Sequence, residues 1–416
     1  MPTSAAASTV SATLEWRTKS NSGASPVLAG GDRGVTPTPY QSSMRIEQGG
    51  LAESASVGRR PSFPPDSGFR EELIRRVDDH FARARVSPHA DPRMVWKTAV
   101  LLLWFAGSYG LLVFAATAWW QGILLSLSLA LSIAGIGMGI QHDANHGAYS
   151  KSPALNHLLG MTLDLMGASS YVWRWKHNVF HHTYTNLSGA DDDVDLGLLG
   201  RLAPAQQRRP LHRFQQFYLW PLYGFLNPKW QLVDDFKSVA RARIGGHHFP
   251  RPSGGDLVEF LATKAVFFGW ALVIPAFFHR FWVVLAFYAV TWFTVGVVLS
   301  VVFQLAHCVE EASFPRPPGA SRLLPDAWAA HQVRTTVDFA RGSRLLTWYL
   351  GGLNHQIEHH LFPRVCHVHY PALSPIVERA CLDFGLPYSV HETLSGAISS
   401  HFRWLRRMGR EAAQQA

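Results

Sequence analysis

Four long apolar runs constrain this chain more than any other feature, and they come in two pairs. Residues 99–118 are apolar apart from Ser108, Tyr109 and Thr117, and residues 122–140 and 281–303 are similar. Residues 257–278 form the remaining run, flawed by Glu259 and Lys264 in its first turns. A bilayer core takes about 20 apolar residues per helix, so each run is long enough to span. One such run could be a buried core helix of a soluble protein, but several together do not suit a soluble fold. Only Trp119–Gln121 separates the first pair, and only His279 and Arg280 the second. Each pair is therefore a helical hairpin that starts and ends on the same side of the membrane.

Charge gives the orientation. Arg70, Arg75, Arg76, Arg83, Arg85, Arg93 and Lys97 precede the first hairpin, and Arg174, Lys176, Arg208, Arg209, Lys237, Arg241 and Arg243 lie between the hairpins. The short turns carry only Arg280. The positive-inside rule puts both termini and the central segment in the cytosol, with Trp119 and Trp120 anchoring the far interface. The net charge of +9 fits the cytosolic flanks of a membrane protein, which anionic lipid would attract. No motif supports nucleic-acid binding. Cys308, Cys366 and Cys381 form neither a CxxC nor a metal spacing and read as reduced cytosolic thiols.

Residues 1–66 are rich in Ser, Ala, Gly, Pro and Thr and are expected to be a disordered tail, with no secretory signal and an alternative start conceivable at Met44. Residues 67–416 are expected to form one domain. Leu73, Val77 and Phe81 recur every fourth residue and predict an amphipathic surface helix over 69–85. Gly135 and Gly139 would let the second span pack closely. Residues 155–172 hold His157 and Asp164 and are short for a span, so they are read as re-entrant or interfacial. The aromatic stretch 214–226 is placed in the interface, 241–255 in a polar linker, and 320–416 in a cytosolic cap.

The chemistry lies in three histidine clusters: His142 with His146, His177 with His181 and His182, and Gln356 with His359 and His360. Residues four apart share a helix face, which pairs His142 with His146, His177 with His181 and Gln356 with His360. His182 falls about 100° round from His181 on an α-helix. Together the clusters offer too many imidazoles for one four-coordinate zinc and suit a pair of metals of higher coordination number. The hairpins return every cluster to the same face. His307, at the end of the last span, reaches the same depth and is a further candidate. His157, His247, His248, His331, His367, His369 and His391 lack this pairing and are taken as non-ligands, while His355 points off the face of its cluster. Asp143, Glu310, Glu311, Glu358 and the run Asp191, Asp192, Asp193 and Asp195 could orient the imidazoles from behind. That acidic run is not a calcium loop, because Leu196 and Leu202 stand where a Gly and a Glu are needed. The chain contains no Glu-x-x-His and no HExxH, which excludes soluble di-iron carboxylate bundles and zincins.

These motifs resemble the integral-membrane fatty acid desaturase family. Its HxxxH pattern is matched by His142 and His146, its HxxHH or HxxxHH pattern by His177, His181 and His182, and its QxxHH pattern by Gln356, His359 and His360. Glutamine at the head of the third cluster, the run 351–363 and the run 175–186 are similar to the front-end, delta-6-type branch. The resemblance covers roughly residues 67–400. It implies an all-α integral-membrane fold: four transmembrane helices in two hairpins, interfacial helices and a cytosolic helical cap holding a histidine-rich di-iron site. It makes 67–416 a membrane fatty acid desaturase domain. The implied metal ligands are His142, His146, His177, His181, His182, His307, Gln356, His359 and His360. The implied cofactors are two Fe ions with O2 as co-substrate, and the implied substrate is a fatty acyl chain on CoA, carrier protein or lipid. Front-end members often begin with a fused cytochrome b5 domain marked by His-Pro-Gly-Gly, a motif these residues lack. A separate, ferredoxin-type donor is then expected, and the arginine-rich composition points to a bacterial plasma membrane. A hydroxylase on the same scaffold is the competing enzyme reading. A metal transporter is disfavoured, because its ligands would lie near the bilayer midplane.

Overall fold

The computed structural model describes residues 61–316 and 322–412. The expected tail lies outside the described residues up to residue 60, Met44 included. Its last residues do not fit that expectation. Ser62 pairs with Leu323 and Phe63 packs edge-on against His331, so the ordered chain is already seated on the domain before Ser67.

Four helices are long and apolar enough to cross a membrane: Pro92–Phe114, Trp119–Asn145, Gly255–Phe278 and Phe281–His307. They form the two expected hairpins. Asp91 starts the first span by accepting from the Arg93 and Met94 amides, with Pro92 in the first turn where no amide is needed. At its far end Gln121 Oε1 accepts from the amides of Thr117 and Ala118 and closes the turn, leaving Trp119 and Trp120 exposed. His279 ties the second hairpin tip to the first by bonding the Val113 carbonyl at 2.7 Å.

The second span is central. Small residues permit this: a Cβ on Gly135 would sit 2.8 Å from Leu101, one on Gly139 2.9 Å from Lys97, and Phe287 of the fourth span lies over Gly122. Its last turns, Gly137–Gln141, widen into a π-helix immediately before His142.

Residues 153–173 do not cross. They break into the short helices Pro153–Gly160, Thr162–Leu165 and Ser170–Trp173, and Gly167 (φ +87°) packs directly under Phe267. This segment accounts for the charges that flaw the third span. Glu259 faces His157 at 2.9 Å, and buried Lys264 donates to Asp235 at 2.8 Å and to the Gly167 carbonyl. Asp235 in turn accepts from the Ser169 amide at 2.7 Å. The aromatic stretch forms Gln215–Tyr223 and packs on the fourth span, where Gly296 lies against the Gly224 carbonyl. The expected linker holds a small antiparallel hairpin, Arg243–Ile244 with His247–His248. The amphipathic helix Phe69–Ala84 packs on Tyr370–Asp383 through Arg76 and Asp383 at 2.9 Å. The rest of the cap comprises Trp328–Thr335, Gln356–Leu361 and Leu394–Arg410, with a parallel pair Asp338–Phe339 and Val390–His391.

Removing one partner of a buried ion pair leaves an uncompensated charge and costs about 3–5 kcal/mol. Lys264→Met should therefore lower the melting temperature of the detergent-solubilised protein sharply, and Lys264→Met with Asp235→Leu should recover most of the loss. An unchanged melting curve for Lys264→Met would contradict the anchoring role.

Candidate metal centre

Each cluster reaches the site on a different element. The first continues the second span as a short helical turn, His142–Asn145, followed by His146. The second lies on a π-helix, Arg174–His181, capped by the bond from the His182 amide to the His177 carbonyl. That register changes the expectation for His182. A π-helix bonds residues five apart, so His182 comes edge-on to His177, with ring centroids 4.7 Å apart, instead of swinging away. Their Nε2 atoms are 3.2 Å apart. Asn178 Nδ2 donates to the Asn145 carbonyl at 2.9 Å and locks the second cluster onto the first.

The third cluster is lowered onto the others by the cap. The chain leaves the fourth span, returns with the Val337 amide on the Ala306 carbonyl, and reaches Gly351 (φ +62°). A Cβ at Gly351 would collide with the Met138 carbonyl in the π-segment of the second span. Asp338 Oδ1 then accepts from the Ile357 amide at 3.0 Å and fixes the helix Gln356–Leu361.

All nine residues implied as metal ligands come together. His142, His146, His177 and His359 place ring nitrogens within 4.8 Å of one another, and so do His181, His307 and His360. His182 joins the two groups, lying with His359 and His360 in a third set. Gln356 Nε2 is 2.9 Å from His307 Nε2, beside the second group. Every one of these side chains is buried. His146 Nε2, His181 Nε2, His182 Nδ1, His307 Nδ1 and His360 Nε2 have no hydrogen-bond partner in the protein. A buried polar atom without a partner costs free energy, and several converging acceptors are the arrangement a cation satisfies. Burial, reinforced by neighbouring imidazoles, holds His146, His182, His359 and His360 well below the ordinary imidazole range. Neutral imidazole is the form that binds metal. The residues present therefore fit a pair of transition-metal ions.

Behind the rings stands a supporting layer. His181 Nδ1 bonds Asp191 at 2.9 Å, and His177 faces Asp193 at 3.9 Å. Burial alone would depress His181, but Asp191 raises it above the ordinary value. Lys176 holds Asp193 well below the usual carboxylate range against the opposing effect of burial. Trp173 stacks on His177 at 4.4 Å. Sequence reasoning missed Gln332, whose Oε1 meets His360 Nδ1 at 2.8 Å, and Tyr370, whose hydroxyl meets His359 Nδ1 at 3.2 Å. Neither carries a charge or a spacing that would flag it.

Several expected carboxylates serve elsewhere. Asp143 bonds His367 Nδ1 at 2.8 Å rather than a clustered imidazole, and His367 Nε2 meets Lys97 Nζ at 2.9 Å. His367, Asp143 and Cys366 could hold a cation by distance alone, but the Lys97 ammonium already supplies the charge there. This chain of contacts ties the first span to the cap. Glu358 accepts from Tyr388 at 2.7 Å, and burial beside Asp338 pushes it well above the usual carboxylate range. Glu310 pairs with Arg403, Glu311 accepts from Ser400, Asp192 pairs with Lys176, and Asp195 caps the Gly197 amide. His355 turns to Ser374 at 2.7 Å, and His157, His247, His369 and His391 bond groups outside the cluster.

Partners behind metal-bound histidines typically contribute about 10–100-fold in metal affinity. Asp191→Asn keeps an acceptor for the loop but weakens the hold on His181. It should loosen metal binding by that factor in a competitive chelator titration, with the fold unchanged by circular dichroism. Parental affinity would show that Asp191 only shapes the loop.

Comparison with known proteins agrees with the motifs. The family model for fatty acid desaturases matches residues 117–392. The chain is 38% identical over 355 residues to the sn-1 linoleoyl-lipid 6-desaturase of Synechocystis sp., covering 85% of this chain and 99% of that protein. It is 38% identical over 354 residues to the protein of the same name from Arthrospira platensis, covering 85% and 96%. An acyl-lipid (8-3)-desaturase of Physcomitrium patens is 37% identical over 342 residues, covering 80% of this chain and 70% of that protein. With its three histidine clusters gathered at the end of four spans, the chain belongs to the fatty acid desaturase family.

Proposed function

We propose that this desaturase is an O2-dependent di-iron enzyme that places a cis double bond near the carboxyl end of an acyl chain carried on a membrane lipid. The observation that carries the reading is the convergence of His142, His146, His177 and His359 on one point and His181, His307 and His360 on another, with His182 between. Imidazole suits iron. Irons held there, reduced and supplied with O2, would provide the oxidant needed to remove hydrogen from an unactivated methylene. The chain's own residues have the remaining tasks. Asp191, Gln332 and Tyr370 hold ring tautomers and angles. The π-turn Arg174–His181 brings His182 beside His177. Dense burial keeps bulk water away from the reacting carbon.

Acyl-lipid carriage and front-end regiochemistry are supported by the names of the relatives and by Gln356 in its motif. Glutamine is a weaker ligand than imidazole and sits on the His307 side, so the two metal positions differ in donor strength. The arginine-rich face on the cluster side supports a cytosolic orientation in a bacterial plasma membrane, and it would steer an acidic, ferredoxin-type electron donor.

Lipid profiling by mass spectrometry after expression with a ferredoxin system tests the reading. The expected product is a membrane lipid with a new double bond on the carboxyl side of existing ones. A bond on the methyl side would contradict the front-end assignment. A hydroxylated chain with no alkene would turn the reading to the hydroxylase.

A further inference from the structure

A groove of about 550 Å³ lies away from the metal centre, where the C-terminal helix Leu394–Arg410 meets the turn Pro210–Phe214 and the start of Gln215–Tyr223. Gly409 permits the close approach, because a side chain there would strike the His212 carbonyl. Arg208, Arg213, Arg406 and Arg410 line the groove, with Phe217 and Phe402 in edge-to-face contact at 5.6 Å. Phe402, Arg406 and Arg410 are four apart and share one face of the helix.

These arginines differ from their neighbours. On the same helix Arg403 pairs with Glu310, and Arg407 lies 3.6 Å from Glu411. Among the described residues, no ion pair is formed by Arg208, Arg213, Arg406 or Arg410, and all of them are exposed. Arg213 instead lies over the Phe214 ring at 4.7 Å.

Depth narrows the choice of partner. His401 bonds the carbonyl of Cys308, the residue after the fourth span, at 2.7 Å, and the Tyr223 hydroxyl at 2.9 Å. Phe402 therefore lies beside the end of the fourth span. Leu211, Phe214 and Phe217 are exposed beside the arginines, at 51%, 50% and 62%. A soluble acidic protein would leave that rim partly wet. An arginine cluster rimmed by aromatic and aliphatic side chains at an interface matches a charged head group with hydrocarbon below it.

We infer that this groove holds an anionic glycerophospholipid of the leaflet on the metal-centre side, its phosphate among Arg208, Arg213, Arg406 and Arg410 and its acyl chains along Phe217 and Phe402. The inference uses the membrane fold and not the desaturation chemistry. A basic residue facing anionic lipid contributes about fivefold in affinity. The full-length protein in detergent is titrated with phosphatidylglycerol and with phosphatidylcholine, and bound lipid is counted by native mass spectrometry. Phosphatidylglycerol should bind the more tightly. Arg213→Gln with Arg406→Gln and Arg410→Gln should lose on the order of a hundredfold for that lipid alone. The corresponding triple Lys variant should keep most of the preference, and it decides the matter if the Gln variant does not fold. Inorganic phosphate should not displace the lipid. Equal affinity for both lipids, displacement by phosphate, or a Gln variant that keeps lipid but loses an acidic ferredoxin would each overturn the inference.

Discussion

Imidazole nitrogens buried with nothing to bond are the constraint on which the rest of this structure depends. His146, His181, His182, His307 and His360 each carry one. Apolar packing cannot satisfy such atoms, and a protein that gathers them must offset the cost with a ligand. Much of the architecture serves that gathering. Two hairpins return the chain to one face, close glycine packing makes the second span central, and Gly351 lets the cap reach the π-segment before His142. Lys97, His367 and Asp143 then fasten the first span to the cap beneath the first cluster.

The spans and the clusters were legible because both are local patterns. A run of apolar residues declares its length, and a repeat of four declares a shared face. Even the flaws in the third span were visible as Glu259 and Lys264, although their partners His157 and Asp235 were not. His307 could be placed by depth alone, since it ends the fourth span.

What the sequence hid falls into two kinds. The π-segments change the residues per turn just before His142, at Gly137–Gln141, and through His177 and His181, at Arg174–His181, and no residue pattern announces them. An α-helical reading therefore turned His182 away from His177, where the structure sets the two rings edge-on. The supporting layer is the other kind. Asp191 was visible in the acidic run and does back His181, but Gln332 and Tyr370, which back His360 and His359, come from separate helices and carry no charge to flag them. Asp143 and Glu358 adjoin clustered histidines in sequence but face away, to His367 and Tyr388. Adjacency along a helix puts side chains on different faces, so the nearest carboxylate in sequence is a poor guide to the one behind the ring.

The central claim is that the histidine clusters form one site for a metal pair. Iron content of the purified protein, measured with its Mössbauer spectrum, tests this most directly. The account predicts about two irons per chain in nitrogen-rich, magnetically coupled sites, with His360→Ala losing iron and the coupling together. A single uncoupled iron per chain, or a His360→Ala protein with unchanged iron and spectrum, would contradict it.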